Sequence, residues 1–413
     1  MPENVLRQEL RKYSADVVIV GGGPAGMHLT HELHKRLGSG AQLLLIEQAN
    51  VFGGSGNTSM QQSRTFQSNE AMVSMIAATR EWYDQVGHET KTKLLTQLPY
   101  LFIASDDARL SRYTQTLERV KEWGHGQGGE TLTPEELRRR FPFIDREVVA
   151  GALYFPGAHQ LNFSAALNYI TKTSPRADFV LGTAMTNVRI QGGRVTGVDT
   201  SQGFVATRKV VLATGAFAIK TKSHIDGGTV EEGDILPGLI EVRKRQRFSA
   251  VVSGLPPETS VFVIGPGGEY VRLHTDPDGT GAGDYGYADP EDGLVSEPVI
   301  DPSASEVEFP VRVYSGLGQT MSKYGNDEVS GPLAIKPISG SRLAGYYTET
   351  KDNLPIICPT SVDGLFFDTA HSHAGVMTSV GAASHTADIV ENGEQVNNLF
   401  GINRKFEPDG IAL

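Results

Sequence analysis

Apolar runs of strand length and a helical repeat follow one another at the start of the chain. The run from Asp16 to Val20 is rich in β-branched residues and ends at three glycines, which predicts a buried strand. Pro24 suits a first helical turn, and apolar residues then recur every four positions up to Gly38. A second apolar run, from Gln42 to Glu47, completes a strand–helix–strand unit. Strands joined in this way are parallel, so the protein is predicted to begin with a parallel sheet.

Other periodic segments follow. Apolar and aromatic residues fall at helical spacing from Asn69 to Val86, which predicts an amphipathic helix with its Met and aromatic side chains in the core. Thr133 to Glu136 form a capping box that begins a short helix. Alternating segments separated by Gly192-Gly193 and Gln202-Gly203 predict a β-meander between about 186 and 207. It runs into another buried strand, from Lys209 to Gly215, with glycine at its end.

The second half of the chain favours longer antiparallel strands between about 239 and 347. Within it, residues 273–311 contain ten acidic residues and no Lys or Arg, and we interpret them as an acidic surface segment. Asp276 to Gly279 has calcium-loop residue types, but the spacing does not fit an EF-hand. The chain closes with a strand at 363–368 and a helix from about 377 to 390.

Composition narrows the classes of function. The chain of 413 residues carries 37 Lys and Arg against 48 Asp and Glu, a net charge of −11, which disfavours nucleic acid as a partner. It has no run of about 20 apolar residues, so no membrane span is expected, and its start lacks the apolar run of a signal peptide. Its single cysteine, Cys358, excludes intrachain disulfides and cysteine-based metal sites. We therefore expect a cytoplasmic monomer or homodimer of two or three domains, without a metal.

The first spaced glycines of the chain indicate a class of ligand. Gly21, Gly23 and Gly26 have G-x-G-x-x-G spacing between a predicted strand and a predicted helix. In that context the turn lets backbone approach a pyrophosphate at the helix N-terminus, and the third glycine lets helix pack on strand. Glu47 ends the next strand, where a carboxylate binds the adenosine ribose and disfavours NADP. The sequence predicts a dinucleotide site.

Further segments extend this pattern in order along the chain: Gly53 to Ser59 leading to Arg64, Thr133 to Leu137 with Arg140 to Pro142, Gly193 to Val198 with Val210 to Gly215, Tyr347 to Asp352 before Pro355, and Ala374 with Gly375. With these segments the chain resembles the FAD-dependent amine and amino-acid oxidoreductases of the D-amino-acid oxidase superfamily. Within it, the monomeric sarcosine oxidase and glycine oxidase branch is most similar. The resemblance covers almost the whole chain.

The resemblance implies an α/β fold with two domains. A Rossmann-type, glutathione-reductase-like FAD-binding domain is expected from residues 14–90, 150–225 and 352–400. A substrate domain built on a large antiparallel sheet is expected from residues 91–149 and 226–351.

The resemblance also implies where FAD binds. Gly53 to Ser59 can present backbone N–H groups, and the turn before the last helix can stabilise negative charge on the flavin. Covalent members carry a cysteine where this chain has Gly345, so we predict noncovalent FAD. The expected cofactor-binding residues are Gly21, Gly23, Pro24, Ala25, Gly26, Glu47, Gln48, Gly54, Ser55, Thr58, Ser59, Val188, Ala213, Thr214, Gly215, His373, Ala374, Gly375, Val376 and Met377.

Five residues are expected to act on substrate. Arg64 matches a family arginine that binds the substrate carboxylate, and Tyr347 matches a tyrosine of the substrate cavity. Arg272 stands in place of a lysine that assists reaction with oxygen, or is a second carboxylate anchor. His371 and His373 replace Phe and Gly; they contact ring or substrate, deprotonate an ammonium, or are structural. A second family anchor, a lysine, is replaced by Met377.

The implied reaction is oxidation of the C–N bond of an amine or N-substituted amino acid. Hydride passes to flavin N5, the imine hydrolyses, and O2 or another acceptor reoxidises the flavin. Alternatives are a dehydrogenase or oxidase of a 2-hydroxy acid, a flavin monooxygenase that uses NAD(P)H, and a flavin-binding subunit of a larger complex.

Overall fold

The structure, a computed structural model, describes residues 5–6, 13–145, 149–220, 222–225, 228–231, 238–278, 280–288, 293–304, 308–318, 321, 334–393 and 398–406. The helices in this part of the chain are α1 Pro24–Leu37, α2 Ser55–Thr58, α3 Glu70–Thr90, α4 Asp107–Glu122, α5 Pro134–Arg140, α6 Phe163–Thr173, α7 Glu308–Leu317 and α8 Gly375–Asn392. No helix among these residues has the length and apolar character needed to cross a membrane.

A mostly parallel sheet lies at the centre of the nucleotide-binding half. Its seven strands within the described residues are, in spatial order, β1 Val5–Leu6, β11 Ala177–Val180, β4 Leu43–Ile46, β3 Val17–Val20, β15 Lys209–Leu212, β25 Leu365–Thr369 and β24 Ile356–Pro359. Only β24 among them runs antiparallel to its neighbour. The predicted strand–helix–strand unit is confirmed as β3, α1 and β4.

Both faces of this sheet are covered. Helices α1, α3 and α8 pack on one face, and the buried Met72, Met75, Ile76 and Tyr83 of α3 confirm the predicted core stripe. The other face packs against a second sheet, ordered β17 Gly228–Glu231, β16 Lys222–Ile225, β12 Met185–Gln191, β13 Arg194–Thr200, β14 Gly203–Ala206 and β2 Tyr13–Ser14. Strands β12 to β14 are the predicted meander. The result is a three-layer arrangement of helices, parallel sheet and meander.

The other half is built on a large mixed sheet. Among the described residues its order is β22 Ala334–Pro337, β18 Glu241–Ser253, β21 Gly281–Tyr287, β20 Glu269–Thr275, β19 Ser260–Ile264, β7 Tyr100–Ala104, β9 Gly151–Phe155 and β8 Glu130–Leu132, and β23 Leu343–Glu349 also pairs with β18. The pairs are antiparallel except β19 with β7, and α5 and α7 cover one face. A small sheet of β5 Gln62–Ser63, β10 His159–Leu161 and β6 Leu95–Gln97 completes the strands in the described ranges.

The predicted fold class is confirmed, with local corrections. Thr133 and Glu136 form the predicted reciprocal capping box at α5. Strand β9 belongs to the large sheet although it falls within the segment 150–225 given to the FAD-binding domain; the division into domains otherwise stays a prediction. The acidic segment is not uniformly a surface segment, because Asp284 lies partly buried on the inner strand β21 and ion-pairs with arginines. The prediction rested on the composition of the acidic segment, whereas strand pairing determines how exposed each acidic side chain is.

Candidate functional site

A cavity of about 740 Å³ lies between the two halves. The carboxyl ends of β3, β4, β15 and β25 open into it, as do the first turns of α1 and α8 and the loop that contains α2. Strands β18, β19, β20 and β23 of the large sheet form the facing wall. Ligands of open α/β sheets bind at the carboxyl ends of the strands, so the cavity has the position of a nucleotide and substrate site.

Most of the residues singled out from the sequence border this cavity: Gly21, Gly23, Pro24, Ala25, Glu47, Gln48, Gly54, Ser55, Thr58, Ser59, Arg64, Ala213, Thr214, Gly215, Tyr347, His371, His373, Gly375, Val376 and Met377. Four do not border it: Gly26, Val188, Arg272 and Ala374. Bordering the cavity is a matter of geometry, and the binding role of each residue remains a prediction.

Glycine occupies three positions of the first turn for different physical reasons. Gly21 has a φ of 109°, and a Cβ there would lie 2.4 Å from the backbone oxygen of Ala213. A Cβ at Gly26 would lie 2.0 Å from the backbone oxygen of Gly21. A Cβ at Gly23 would meet no atom within 4 Å. Gly21 and Gly26 are thus required by close packing of strand and helix, whereas Gly23 leaves open space at the N-terminus of α1.

Glu47 holds the turn in place. Its carboxylate accepts hydrogen bonds from the backbone N–H groups of Gly22, at 2.6 Å, and Ala49, at 2.7 Å. Burial raises the pKa of the Glu47 carboxyl, and these backbone bonds oppose that shift. The carboxylate borders the cavity beside the glycine turn, where it can accept hydrogen bonds from a ligand hydroxyl.

The contact predicted at Val188 is one through backbone groups, and it stays a prediction. Val188 is fully buried in the core between the meander and the parallel sheet. Met185 and Thr186, at the start of the same strand, and Thr183, just before it, border the cavity. The structure therefore places residues 183–186 of this segment on the cavity.

Arg64 is the most unusual charge in the cavity wall. It is 4% exposed, and its Cζ lies 5.4 Å from the centroid of the Tyr100 ring and 5.6 Å from that of Phe102. No described carboxylate forms an ion pair with it, and its Nε is buried without a hydrogen-bond partner. Burial lowers the pKa of its guanidinium and Tyr100 opposes the shift, yet arginine keeps its charge in proteins. A buried cation without an acidic partner among the described residues indicates an anionic ligand.

An aromatic wall extends from Arg64. The rings of Tyr100 and Phe262 stack at 4.4 Å, and those of Phe262 and Tyr270 stack at 5.9 Å. Tyr270 and Tyr347 share a hydrogen bond between their side chains, and burial raises the pKa of both hydroxyls, which are therefore protonated at neutral pH. All four rings border the cavity.

Two arginines of β18 also border the cavity and were missed from the sequence. Arg245 and Arg247 lie with Arg243 at every second position of the strand, so they share one face. Arg247 donates to the backbone oxygen of Thr58 at 2.7 Å. The sequence showed a charged stretch here, and its period of two was the signal that could have placed these side chains.

The expectation for Arg272 is corrected. Its guanidinium forms a close ion pair with Asp284, whose carboxylate also accepts from Ser249 at 2.6 Å and lies 3.4 Å from Arg247. Arg272 does not border the cavity, whereas Tyr270, two residues earlier on the same strand, does. The partner acid lies on β21, which strand pairing brings opposite β20, and no local sequence pattern indicates this pairing.

His371 is held by two neighbours. Its Nε2 lies 2.7 Å from the Oδ1 of Asp368, and its Nδ1 lies 3.4 Å from the Oγ1 of Thr378. The residues on either side, Ala370 and Ser372, have φ values of 58° and 51°, in the left-handed region that costs energy for side chains other than glycine. These contacts hold the His371 ring in the cavity wall, and its role toward substrate stays a prediction.

His373 differs in its protonation. Its Nε2 is buried without a partner, and its ring centroid lies 6.5 Å from that of Tyr347. Burial, with a smaller effect of Arg64, lowers its pKa to about 3. His373 is therefore neutral near pH 7, a hydrogen-bonding group and a weak base. Ala374, directly after it, is fully buried at the start of α8.

Several buried polar atoms of the cavity wall lack partners within the described structure: Gln62 Oε1, Arg64 Nε, Thr214 Oγ1, Arg245 Nε, Ser372 Oγ and His373 Nε2. Such atoms are rare in folded proteins because each costs about 1–3 kcal/mol. Their concentration around one cavity that also contains the open glycine turn fits a large polar ligand and a smaller anionic one.

Comparison with known proteins agrees with this geometry. The family described as "DAO: FAD dependent oxidoreductase" matches residues 16–389. Sarcosine oxidase subunit beta of Rhizobium meliloti is 25% identical over 248 residues, 55% of this chain and 58% of that protein. Mitochondrial sarcosine dehydrogenase of Mus musculus is 28% identical over 219 residues, 50% of this chain and 23% of that protein. The matches thus span less than two thirds of these relatives.

Solved structures show the same fold. L-proline dehydrogenase from P. horikoshii superposes with a TM-score of 0.74 at 21% identity, covering 94% of this chain and 97% of the other. Glycine oxidase from Geobacillus kaustophilus superposes with a TM-score of 0.70 at 20% identity, covering 95% and 100%.

Proposed function

Because the chain belongs to the family of FAD-dependent oxidoreductases, we propose that the cavity binds FAD and that the protein oxidises the C–N bond of an amino acid or N-substituted amino acid. The observation that carries the substrate class is Arg64, a buried guanidinium without a described acidic partner in the wall of this cavity. A bidentate guanidinium matches a carboxylate in geometry and charge.

The residues present fit the cofactor. The open space at Gly23 and the N-terminus of α1 suit a pyrophosphate, and Glu47 suits the adenosine ribose. The segments Gly54–Ser59 and Gly375–Met377 would lie along the flavin. Bound FAD supplies a two-electron acceptor for a hydride from the carbon beside the amine nitrogen.

The protein's own part is to bind, orient and exclude water. Arg64 would fix the carboxylate, and the rings of Tyr100, Phe262 and Tyr347 would shield the reacting carbon from solvent. His373, neutral near pH 7, can accept a hydrogen bond from the amine, but it is too weak a base to hold an ammonium proton. The substrate amine is therefore expected to react in its neutral form, with activity rising as pH increases toward the pKa of that amine.

We also propose that FAD is held noncovalently. Gly345 borders the cavity where covalent relatives carry a cysteine, and a Cβ there would lie 2.2 Å from the Oγ1 of Thr58. Cys358 lies buried in β24, away from the cavity wall, and burial raises its pKa to about 11. A thiol of this kind is unreactive.

Anaerobic mixing of the purified protein with amines, amino acids and 2-hydroxy acids tests the proposal. Bleaching of the flavin absorbance by an amino acid, and not by its hydroxy-acid analogue, is the expected result. Bleaching by hydroxy acids alone, or by NADH, would reject it. Comparing the rates at which oxygen and a quinone or dye reoxidise the reduced protein then distinguishes an oxidase from a dehydrogenase, and turnover by the isolated chain excludes a purely structural subunit.

A further inference from the structure

A second guanidinium faces the cavity at a different place from Arg64. Arg245 lies on β18, opposite Gly345 of β23, and its Cζ is 5.5 Å from the centroid of the Tyr347 ring. Its side chain is 13% exposed. Gly345 has no side chain to separate Arg245 from the cavity, so the guanidinium borders the space directly.

The protein provides Arg245 with only part of its hydrogen bonding. Its terminal nitrogen lies 3.2 Å from Glu349, a carboxylate that also lies 3.3 Å from Arg243. The Nε of Arg245 is buried and has no partner among the described residues. Arg243 pairs more closely with Glu241, at 2.7 Å, so Glu349 is the acid of Arg245, which is left with an unpartnered Nε beside the cavity.

A surplus of positive charge lies beside this pair. Asp284 is shared by Arg247 and Arg272. Together with the unpaired Arg64, this wall of the cavity carries more guanidinium groups than acids that pair with them. Electrostatic complementarity therefore favours a ligand with more than one negative charge.

An aromatic surface joins the two cationic positions. Arg64 lies over Tyr100, which stacks through Phe262 on Tyr270, and Tyr270 is hydrogen-bonded to Tyr347 under Arg245. Ring faces suit the methylene groups of a short chain, whereas the two guanidiniums suit its charged ends. The surface therefore matches a molecule that is apolar in the middle and anionic at both ends.

We propose that the substrate is an amino acid with a second carboxylate, such as an amino dicarboxylic acid or an N-(carboxyalkyl) amino acid. Arg64 binds the carboxylate next to the reacting carbon, and Arg245 binds the second one. This inference rests on the proposed oxidation of amino acids and adds the specificity-determining role of Arg245.

Paired substrates test the role of the second charge. Each acid is compared with its amide, which has the same shape without the charge: glutamate with glutamine, aspartate with asparagine, and iminodiacetate with its monoamide. For the holoenzyme, the rate constant of anaerobic flavin bleaching divided by the apparent dissociation constant is measured. The wild type is expected to prefer an acid to its amide by about tenfold to a hundredfold, the range for a charge-assisted pair.

Arg245→Gln is compared with Arg243→Gln as a matched control. Both variants remove a guanidinium that pairs with Glu349, but only Arg245 borders the cavity, and Arg243 also pairs with Glu241. Arg245→Gln is expected to reduce the acid preference to less than about threefold, and Arg243→Gln to retain it. Binding of glutarate and of its monoamide, followed by the change in flavin absorbance, gives a second readout that needs no turnover.

The outcomes separate the two proposals. If no amino acid bleaches the flavin, the proposed function fails. If amino acids bleach it but acids and amides react equally in the wild type, the second anchor alone is rejected. An equal loss of preference in both variants would also reject it, because Arg245 would then act only through Glu349.

Discussion

Arg64 can be replaced by methionine to separate binding from folding. Methionine has a similar length and no charge, and its sulfur packs well against rings such as Tyr100 and Phe102. Because no described carboxylate pairs with Arg64, the substitution leaves no buried acid without a partner. We therefore expect Arg64→Met to fold and to bind substrate poorly.

The size of each effect follows from the surroundings of the side chain. Loss of a charge-assisted bidentate contact costs about 1.5–3 kcal/mol, so the substrate dissociation constant should rise about tenfold to a hundredfold. Two cation–π contacts are lost, each worth about 0.5–1 kcal/mol. The cost of burying an unpaired charge disappears, which is at least of similar size. The melting temperature is expected to stay unchanged or to rise.

The assay compares Arg64→Met with Arg140→Met. Arg140 lies 4.3 Å from the Tyr154 ring centroid and pairs with Glu130, outside the cavity wall. Arg140→Met therefore makes the same exchange of arginine for methionine next to an aromatic ring. Substrate affinity is measured by anaerobic titration of the flavin, and melting by intrinsic fluorescence. Arg140→Met should leave affinity unchanged.

Two results would refute the reasoning. If Arg64→Met lowers the melting temperature by many degrees when Arg140→Met does not, the charge of Arg64 is needed for folding. If substrate affinity changes by less than about threefold, Arg64 does not bind the carboxylate.

Four further predictions concern packing, cofactor and pH. Gly381→Ala places a Cβ 2.4 Å from the Cα of Met75, so it should lower stability by about 1–3 kcal/mol or more and reduce the melting temperature. Glu47→Ala should weaken FAD binding more than Glu47→Gln, as measured by the fluorescence of the flavin that each variant releases. Equal release of flavin from both variants would contradict a role for the carboxylate oxygens. Acid precipitation should release all of the yellow chromophore. Burial lowers the pKa of His28 to about 4. Below pH 6.5 the unfolded chain therefore binds a proton that the folded chain does not, so the stability of the protein falls as the pH decreases toward 4. His28→Leu should make the melting temperature less dependent on pH in that range.

Much of the parallel half followed from the sequence because its signals are local. A run of β-branched residues, three spaced glycines and a four-residue apolar repeat each fix the backbone over a few residues, and β3, α1 and β4 appear where they were predicted. The capping box of α5 was readable for the same reason. The positions that border the cavity near the glycine turn followed from this local geometry.

The substrate wall did not follow in the same way. In a strand, successive side chains point to opposite faces, so pairing register decides which of them meets the cavity. Met185 rather than Val188 borders it. Tyr270 and Arg272 are two residues apart and share a face of β20, so here the position along the strand and the ion pair with Asp284 decide which of them meets the cavity. The pairing of Arg272 with Asp284 depends on strands that approach only in the folded sheet.

By itself, the sequence determined the strand, the spaced glycine turn and the helix that follows it, because these depend on backbone conformation over short segments. The resemblance along the chain indicated the fold class and a set of residues that border the cavity. Only the tertiary structure decided which charges are unpaired. Whether a guanidinium meets a carboxylate depends on residues far apart in the chain, and that condition distinguishes the free Arg64 and the half-paired Arg245 from Arg272, which is held by its acid.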